Sequence, residues 1–172
     1  MFNFFGAFLI IGASSAWGFR EAQRFTERCR LLRLWLWVVE VLKTEICFQT
    51  CLLPEVLQKV AALANDREAS RLFRQLATSV GYGAAGDWAD AWQELLDAPH
   101  WRSLKAAEKE VLQHLGLFLG GTERQDQLAK LNGAQLSLEQ LLQAAVAQEQ
   151  KQAGLYRYLG FAVGAMLVLW LG

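Results

Sequence analysis

The chain has 172 residues, 17 Lys and Arg against 17 Asp and Glu, two His, two Pro, three Cys and seven Trp. That length suits a single domain, the zero net charge argues against a nucleic-acid binder, and 53% hydrophobic content rules out disorder. With so little proline, helices can run long without interruption.

The charge is unevenly spread. Residues 1–19 and 158–172 hold no Asp, Glu, Lys or Arg, so all 34 charged side chains fall between Arg20 and Arg157. Residues 1–19, MFNFFGAFLIIGASSAWGF, are long enough to cross a bilayer, which takes ~20 apolar residues. A cleaved secretory signal is the rival reading, with Ser14-Ser15-Ala16 as a loose cleavage site. The missing basic n-region favours the anchor. No breaker follows until Pro54, so one helix is expected from about residue 3 to about residue 51, ~70 Å at ~1.5 Å per residue. Within it residues 34–39, LWLWVV, are apolar on every side and are expected to be surrounded by protein. Trp35 and Trp37 lying on the bilayer surface is the alternative.

Pro54 suits the first turn of a second helix, with Val56, Leu57, Val60, Ala61 and Leu63 at helical spacing. Asn65-Asp66 stops it and caps a third helix, which carries Leu72, Phe73, Leu76, Ala77 and Val80 and breaks at Gly81-Tyr82-Gly83. Asp87 is expected to cap a fourth helix bearing Trp88, Ala91, Trp92, Leu95 and Leu96. Pro99 ends it, and Ser103 is expected to open a fifth with Leu104, Ala107, Val111, Leu115 and Phe118. Gly120-Gly121 closes that helix, and Thr122 and Gln125 have capping-box spacing for the last one. Asn132-Gly133 is the weak point of that final helix. Leu128, Leu131, Leu138, Leu142 and Ala145 keep a three-to-four spacing across it, while the capping-box spacing of Ser137 and Gln140 leaves a break as the alternative.

The second apolar stretch occupies residues 155–171, interrupted only by Arg157, with Tyr156, Tyr158 and Trp170 near its ends, where interfacial aromatics belong. Orientation follows from the flanking charges. Arg20, Arg24, Arg28, Arg30 and Arg33 outnumber Glu21 and Glu27 beside the first segment, and Lys151 and Arg157 flank the second on the same side. The positive-inside rule then puts the middle of the chain in the cytoplasm. Gly160 and Gly164 form a G-x-x-x-G, the spacing that lets two membrane helices approach closely. Small residues are common in membrane helices in any case. The expected architecture is all-α: a transmembrane helix over 1–19, a cytoplasmic helical bundle over 20–153, and a second transmembrane helix over 155–171. Two long helices would continue from the bundle into the membrane.

No catalytic constellation is present. The chain lacks G-x-x-x-x-G-K-[ST], H-E-x-x-H, G-x-S-x-G and C-x-x-C. Cys47 and Cys51 share a helix face, but a metal site would need two more ligands from Cys29, His100 and His114. Reduced apolar cysteines are the simpler reading. Neither histidine has a partner placed to make a nucleophile pair. The expectation is a protein that is not an enzyme and holds no cofactor.

Several short segments point together. A glycine-bearing N-terminal anchor is followed by Thr26-Glu27-Arg28-x-Arg30, Glu45-Ile46, Leu53-Pro54-Glu55 and Asp90-Ala91-Trp92. After these come Leu119-Gly120, Arg124-Gln125-Asp126-Gln127 and Tyr158-Leu159-Gly160-Phe161. In order and total length the chain resembles the stage III sporulation protein AB family of endospore-forming bacteria. It departs from that pattern at Cys29 and Leu52, where proline is usual, and at Glu123, where aspartate is common; these touch turns and caps.

The resemblance implies a membrane platform of the channel complex that links mother cell and forespore, similar to the platform proteins of type II secretion and type IV pilus machines. It implies as partners a secretion-type cytoplasmic ATPase and the channel's other membrane proteins, beside the lipid bilayer itself. The protein would then sit in the mother-cell membrane around the forespore, with its long helices as levers. Oligomerisation is compatible with the sequence. Arg67, Arg71 and Arg74 recur at three- and four-residue spacing and form one basic face. Alone they are an ordinary solvated face; with the resemblance they become the candidate docking surface. A generic membrane-anchored adaptor without an energy-coupled partner is the alternative.

Overall fold

A computed structural model describes the backbone of residues 2–48, 52–81, 88–119 and 124–171. It describes the side chains of residues 16, 19–46, 52–81, 88–119, 126–152, 162 and 166. The described residues form helices joined by short links, with no strand: α1 Phe2–Phe48, α2 Leu53–Leu63, α3 Arg67–Gly81, α4 Trp88–Asp97, a 3-10 turn Pro99–Ser103, α5 Ala106–Leu119 and α6 Arg124–Leu171. The chain divides into two compact units. One comprises Met1–Arg30 with Leu142–Gly172, the other Leu31–Leu141. Both boundaries fall inside the stretch 20–153 expected as one bundle.

The larger unit is built around indole rings. Trp35 on α1 is fully buried and packs on Phe73 of α3 (ring centroids 5.4 Å apart), Trp92 of α4 (5.9 Å) and Trp101 of the 3-10 turn (5.1 Å). Tilted and edge-on pairs at these distances are favoured by the ring quadrupoles, beyond the apolar area they bury. The expectation that LWLWVV is enclosed on every side holds for one face only. Leu31, Leu32, Trp35, Val38, Val39 and Leu42 are buried, at the spacing of a single helical stripe, whereas Leu34, Leu36 and Trp37 are half-buried.

α4 is stitched to α5 through its tryptophans. The Trp92 indole N–H donates to the Leu112 carbonyl at 2.9 Å, and Trp88 donates to the carbonyl of Gly116. Gly116 is what allows this approach, because a Cβ there would lie 2.1 Å from Trp92 Cδ1. The small residue exists to admit the ring.

Local starts and stops follow the side chains. Pro54 lies in the first turn of α2, where its missing N–H costs nothing. Asp66 Oδ1 caps α3 by accepting from the N–H groups of Glu68 and Ala69, both at 3.0 Å. Ser103 does not open α5: it closes the 3-10 turn, and Leu104 is buried just after it. α5 starts instead at Ala106, with the Lys105 N–H donating at 2.7 Å to the fully buried Glu108, half of a capping box. α6 runs unbroken through Asn132-Gly133. The expected break at Tyr82-Gly83 and the Asp87 cap lie outside the described residues, as do Thr122 and Cys51 and the side chains of Gln125 and Cys47.

The smaller unit, in its described part, is a helix pair joined by polar groups. Thr26 donates to Glu149 at 2.6 Å, and Arg28, only 7% exposed, donates to Gln148 at 2.9 Å. Ala22, Cys29 and Ala145 are the apolar residues buried there. Gly160 and Gly164 fall on the helical backbone of α6, their surroundings outside the described residues.

Candidate interaction surface

α3 is strongly two-sided. Ala69, Phe73, Leu76 and Ala77 are buried, and Arg67, Arg71 and Arg74 are exposed on the opposite face. The three guanidinium groups make no side-chain hydrogen bond or ion pair among the described residues. This sets them apart from Arg24, paired with Glu21 at 3.1 Å, and Arg30, paired with Glu27 at 2.6 Å. Both of those pairs are satisfied along α1 itself, three residues apart. On α3 Glu68 stands three residues before Arg71 at the same spacing, yet no ion pair forms between them. Arg67 and Arg74 have no carboxylate three or four residues before them on the helix, so the basic face is open to an external anion or carboxylate.

The 3-10 turn brings a fourth arginine to this region. Arg102 is exposed and lines the same open groove as Arg71. The arrangement depends on the N-terminus of α3, where Asp66 does two jobs. One carboxylate oxygen caps the helix, and the other lies 3.3 Å from Nε2 of His100. That contact is close but off the line of the ring N–H, so Nε2 makes no aligned hydrogen bond. Within the turn His100 packs edge-on against the buried Trp101, 4.6 Å between ring centroids, and Trp101 in turn meets Phe73 of α3 edge-on at 6.4 Å. The turn thus lies against α3 through the Asp66–His100 contact on its polar side and through Trp101 on its apolar side. Sequence spacing linked Arg67, Arg71 and Arg74, but nothing local could have joined Arg102 to them, because the link runs through the tertiary fold.

The remaining candidates separate cleanly. Cys29 is not in a disulfide and is fully buried on α1. His114 is exposed on α5 and stacks on Phe118, 6.5 Å between centroids, so it flanks the apolar face without joining the core. Among the described residues no group of three His, Cys, Asp or Glu is placed to hold a metal ion. Likewise, among the described residues no helix is long and apolar enough to cross a membrane. Most of the side chains of 1–19 and 155–171, where the spans are expected, lie outside the described residues.

Several of the segments that carried the family resemblance now have structural roles. Thr26 and Arg28 join α1 to α6. Glu45 receives Lys59 of α2 at 2.7 Å, and Trp92 is a core ring that reaches the α5 backbone. Fold and surface together define an all-helical scaffold whose distinctive exposed feature is a basic helix face. The stage III sporulation protein AB family model matches residues 3–172. The chain is 30% identical over 175 residues to stage III sporulation protein AB of Bacillus subtilis (strain 168), covering 99% of both chains. A solved structure of stage III sporulation protein AB superposes with a TM-score of 0.62 at 27% identity, over 73% of this chain and 98% of that one. The chain belongs to the stage III sporulation protein AB family, and its place is in sporulation.

Proposed function

We propose that this protein is a non-enzymatic membrane platform of the mother cell–forespore channel complex, docking a secretion-type cytoplasmic ATPase to the channel's membrane proteins. The observation that carries the reading is the basic face of α3, whose three arginines are exposed and unpaired among the described residues. Family membership supplies the setting. The uncharged ends support the two membrane spans, and the arginine-rich stretch beside the first supports a cytoplasmic bundle. Phe19 and Met166, 53% and 74% exposed, are apolar side chains that a bilayer would cover.

A docking face on a rigid bundle is separable from the fold. Exposed substitutions away from structural features usually change stability by less than ~0.5 kcal/mol. The test is the triple variant Arg67→Glu, Arg71→Glu, Arg74→Glu, with ATPase binding, membrane level and spore formation measured together. Lost binding and lost sporulation at a normal membrane level are expected. Normal binding and sporulation would remove this surface from the reading.

A further inference from the structure

Between α3 and the α4–turn segment runs an open groove of two adjoining lobes, about 350 and 550 Å³. Its floor is apolar, with Leu72, Leu95, Ala98 and Pro99 lining it. The two lobes differ in charge. In one, Arg71 and Arg102 outnumber Glu68, beside His100; in the other stand Glu94 and Asp97. Asp97 accepts from Gln93 at 3.2 Å, whereas Glu68, Arg71, Arg102 and Glu94 make no side-chain hydrogen bond or ion pair among the described residues. Four unpaired charges, two of each sign, thus bracket an uncovered apolar floor.

We propose that this groove receives an amphipathic helix of a partner protein. Its apolar stripe would cover Leu72, Ala98 and Pro99, its carboxylates would meet Arg71 and Arg102, and a basic side chain would meet Glu94. The lining on α3 extends from Glu68 to Ser79, ~16 Å at ~1.5 Å per residue, or about three turns of an incoming helix. A helix satisfies its own backbone and offers anchors at three- and four-residue spacing to a groove walled by helices. The described residues include no strand edge on which an extended peptide could pair. This inference deepens the docking reading above and rests on it. It also divides the basic face: Arg71 and Arg102 bind, while Arg67 and Arg74, which do not line the groove, contribute little.

The experiment measures fluorescence anisotropy of a labelled synthetic helix against the full chain. The peptide is about 14 residues long, with leucines on one face, glutamates in its first turn and lysines in its last; a twin carries glutamine at every charged position. The charged peptide binds about tenfold more tightly than its twin at low salt, since three exposed ion pairs, each worth about a factor of two, together reach about that factor. Arg71→Glu with Arg102→Glu removes this advantage, and Arg67→Glu does not. Gln75→Trp, at an exposed position lining both lobes, fills the groove and abolishes binding of both peptides, as does Ser79→Trp for the Glu94 lobe.

Equal binding of the two peptides, or a loss with Arg67→Glu as large as with Arg102→Glu, would overturn the proposal. So would undiminished binding to the two tryptophan variants at unchanged helicity. A wild-type dimer that Gln75→Trp converts to monomer would assign the groove to a second copy and also overturn it. Loss of ATPase binding in the triple arginine variant, with binding retained by Gln75→Trp, would overturn the groove and leave the platform reading standing. Peptide binding with no ATPase binding by the wild type would do the reverse.

Discussion

The two units hold their helices together by different means. Within Leu31–Leu141 the bond is apolar and aromatic: Trp35, Phe73, Trp92 and Trp101 enclose one another, and indole N–H groups tie α4 to α5. Within Met1–Arg30 and Leu142–Gly172 the described contacts are polar, Thr26 to Glu149 and Arg28 to Gln148, beside small buried residues. Burial of rings supplies free energy with little directional demand. A hydrogen bond from a nearly buried guanidinium instead penalises a slip of one helix along the other, because a slip breaks that directional bond where little water can replace it. The larger unit is thus stabilised chiefly by its core, and the smaller one has its register set by specific pairs.

Three substitutions would break or sharpen this contrast. Trp35→Ala removes the ring shared by three helices and should cost about 3–5 kcal/mol, a large share of the ~5–15 kcal/mol typical of a folded protein. Urea unfolding followed by circular dichroism measures it, and a cost near zero would mean the aromatic cluster does not hold the unit. Arg28→Ala should cost about 1.5–3 kcal/mol. A double-mutant cycle with Gln148→Ala should assign a coupling of at least ~0.5 kcal/mol to the pair. If the two changes simply add, register in the smaller unit is set by something else. Gly133→Ala carries the smallest effect and the opposite sign. Nothing lies within 4 Å of a Cβ at that position, so the change should stabilise α6 by about 0.8–1 kcal/mol, seen as a raised Tm.

Much of the fold was legible in the sequence because its signals are local. Pro54 at the start of α2 and Asp66 at the start of α3 act through their own backbone neighbours, and the continuous α6 follows from leucines that keep their spacing across Gly133. The errors arise where tertiary packing decides. LWLWVV looks the same from every side, and only the fold selects Trp35 over Trp37 for the core. The start of α5 shifted from Ser103 because Pro99 initiates a tight turn first, leaving Lys105 and Glu108 to form the cap. The arginines of α3 could be read from their spacing; Arg102 could not, since it lies 28 positions on from Arg74 and the two segments meet through tertiary packing, Asp66 on His100 and Phe73 on Trp101.

The platform reading requires the α3 face and its ATPase to share a compartment, so sidedness is its most direct test. Single cysteines are placed before Phe4, after Gly172 and at the exposed positions Gln58 and Thr78, in a background lacking Cys29, Cys47 and Cys51, and labelled in intact cells with an impermeant maleimide. The account predicts labelling at both termini and protection at Gln58→Cys and Thr78→Cys until the membrane is opened. Labelling of Gln58→Cys or Thr78→Cys in intact cells, with protected termini, would reverse the orientation and contradict docking of a cytoplasmic ATPase on this face.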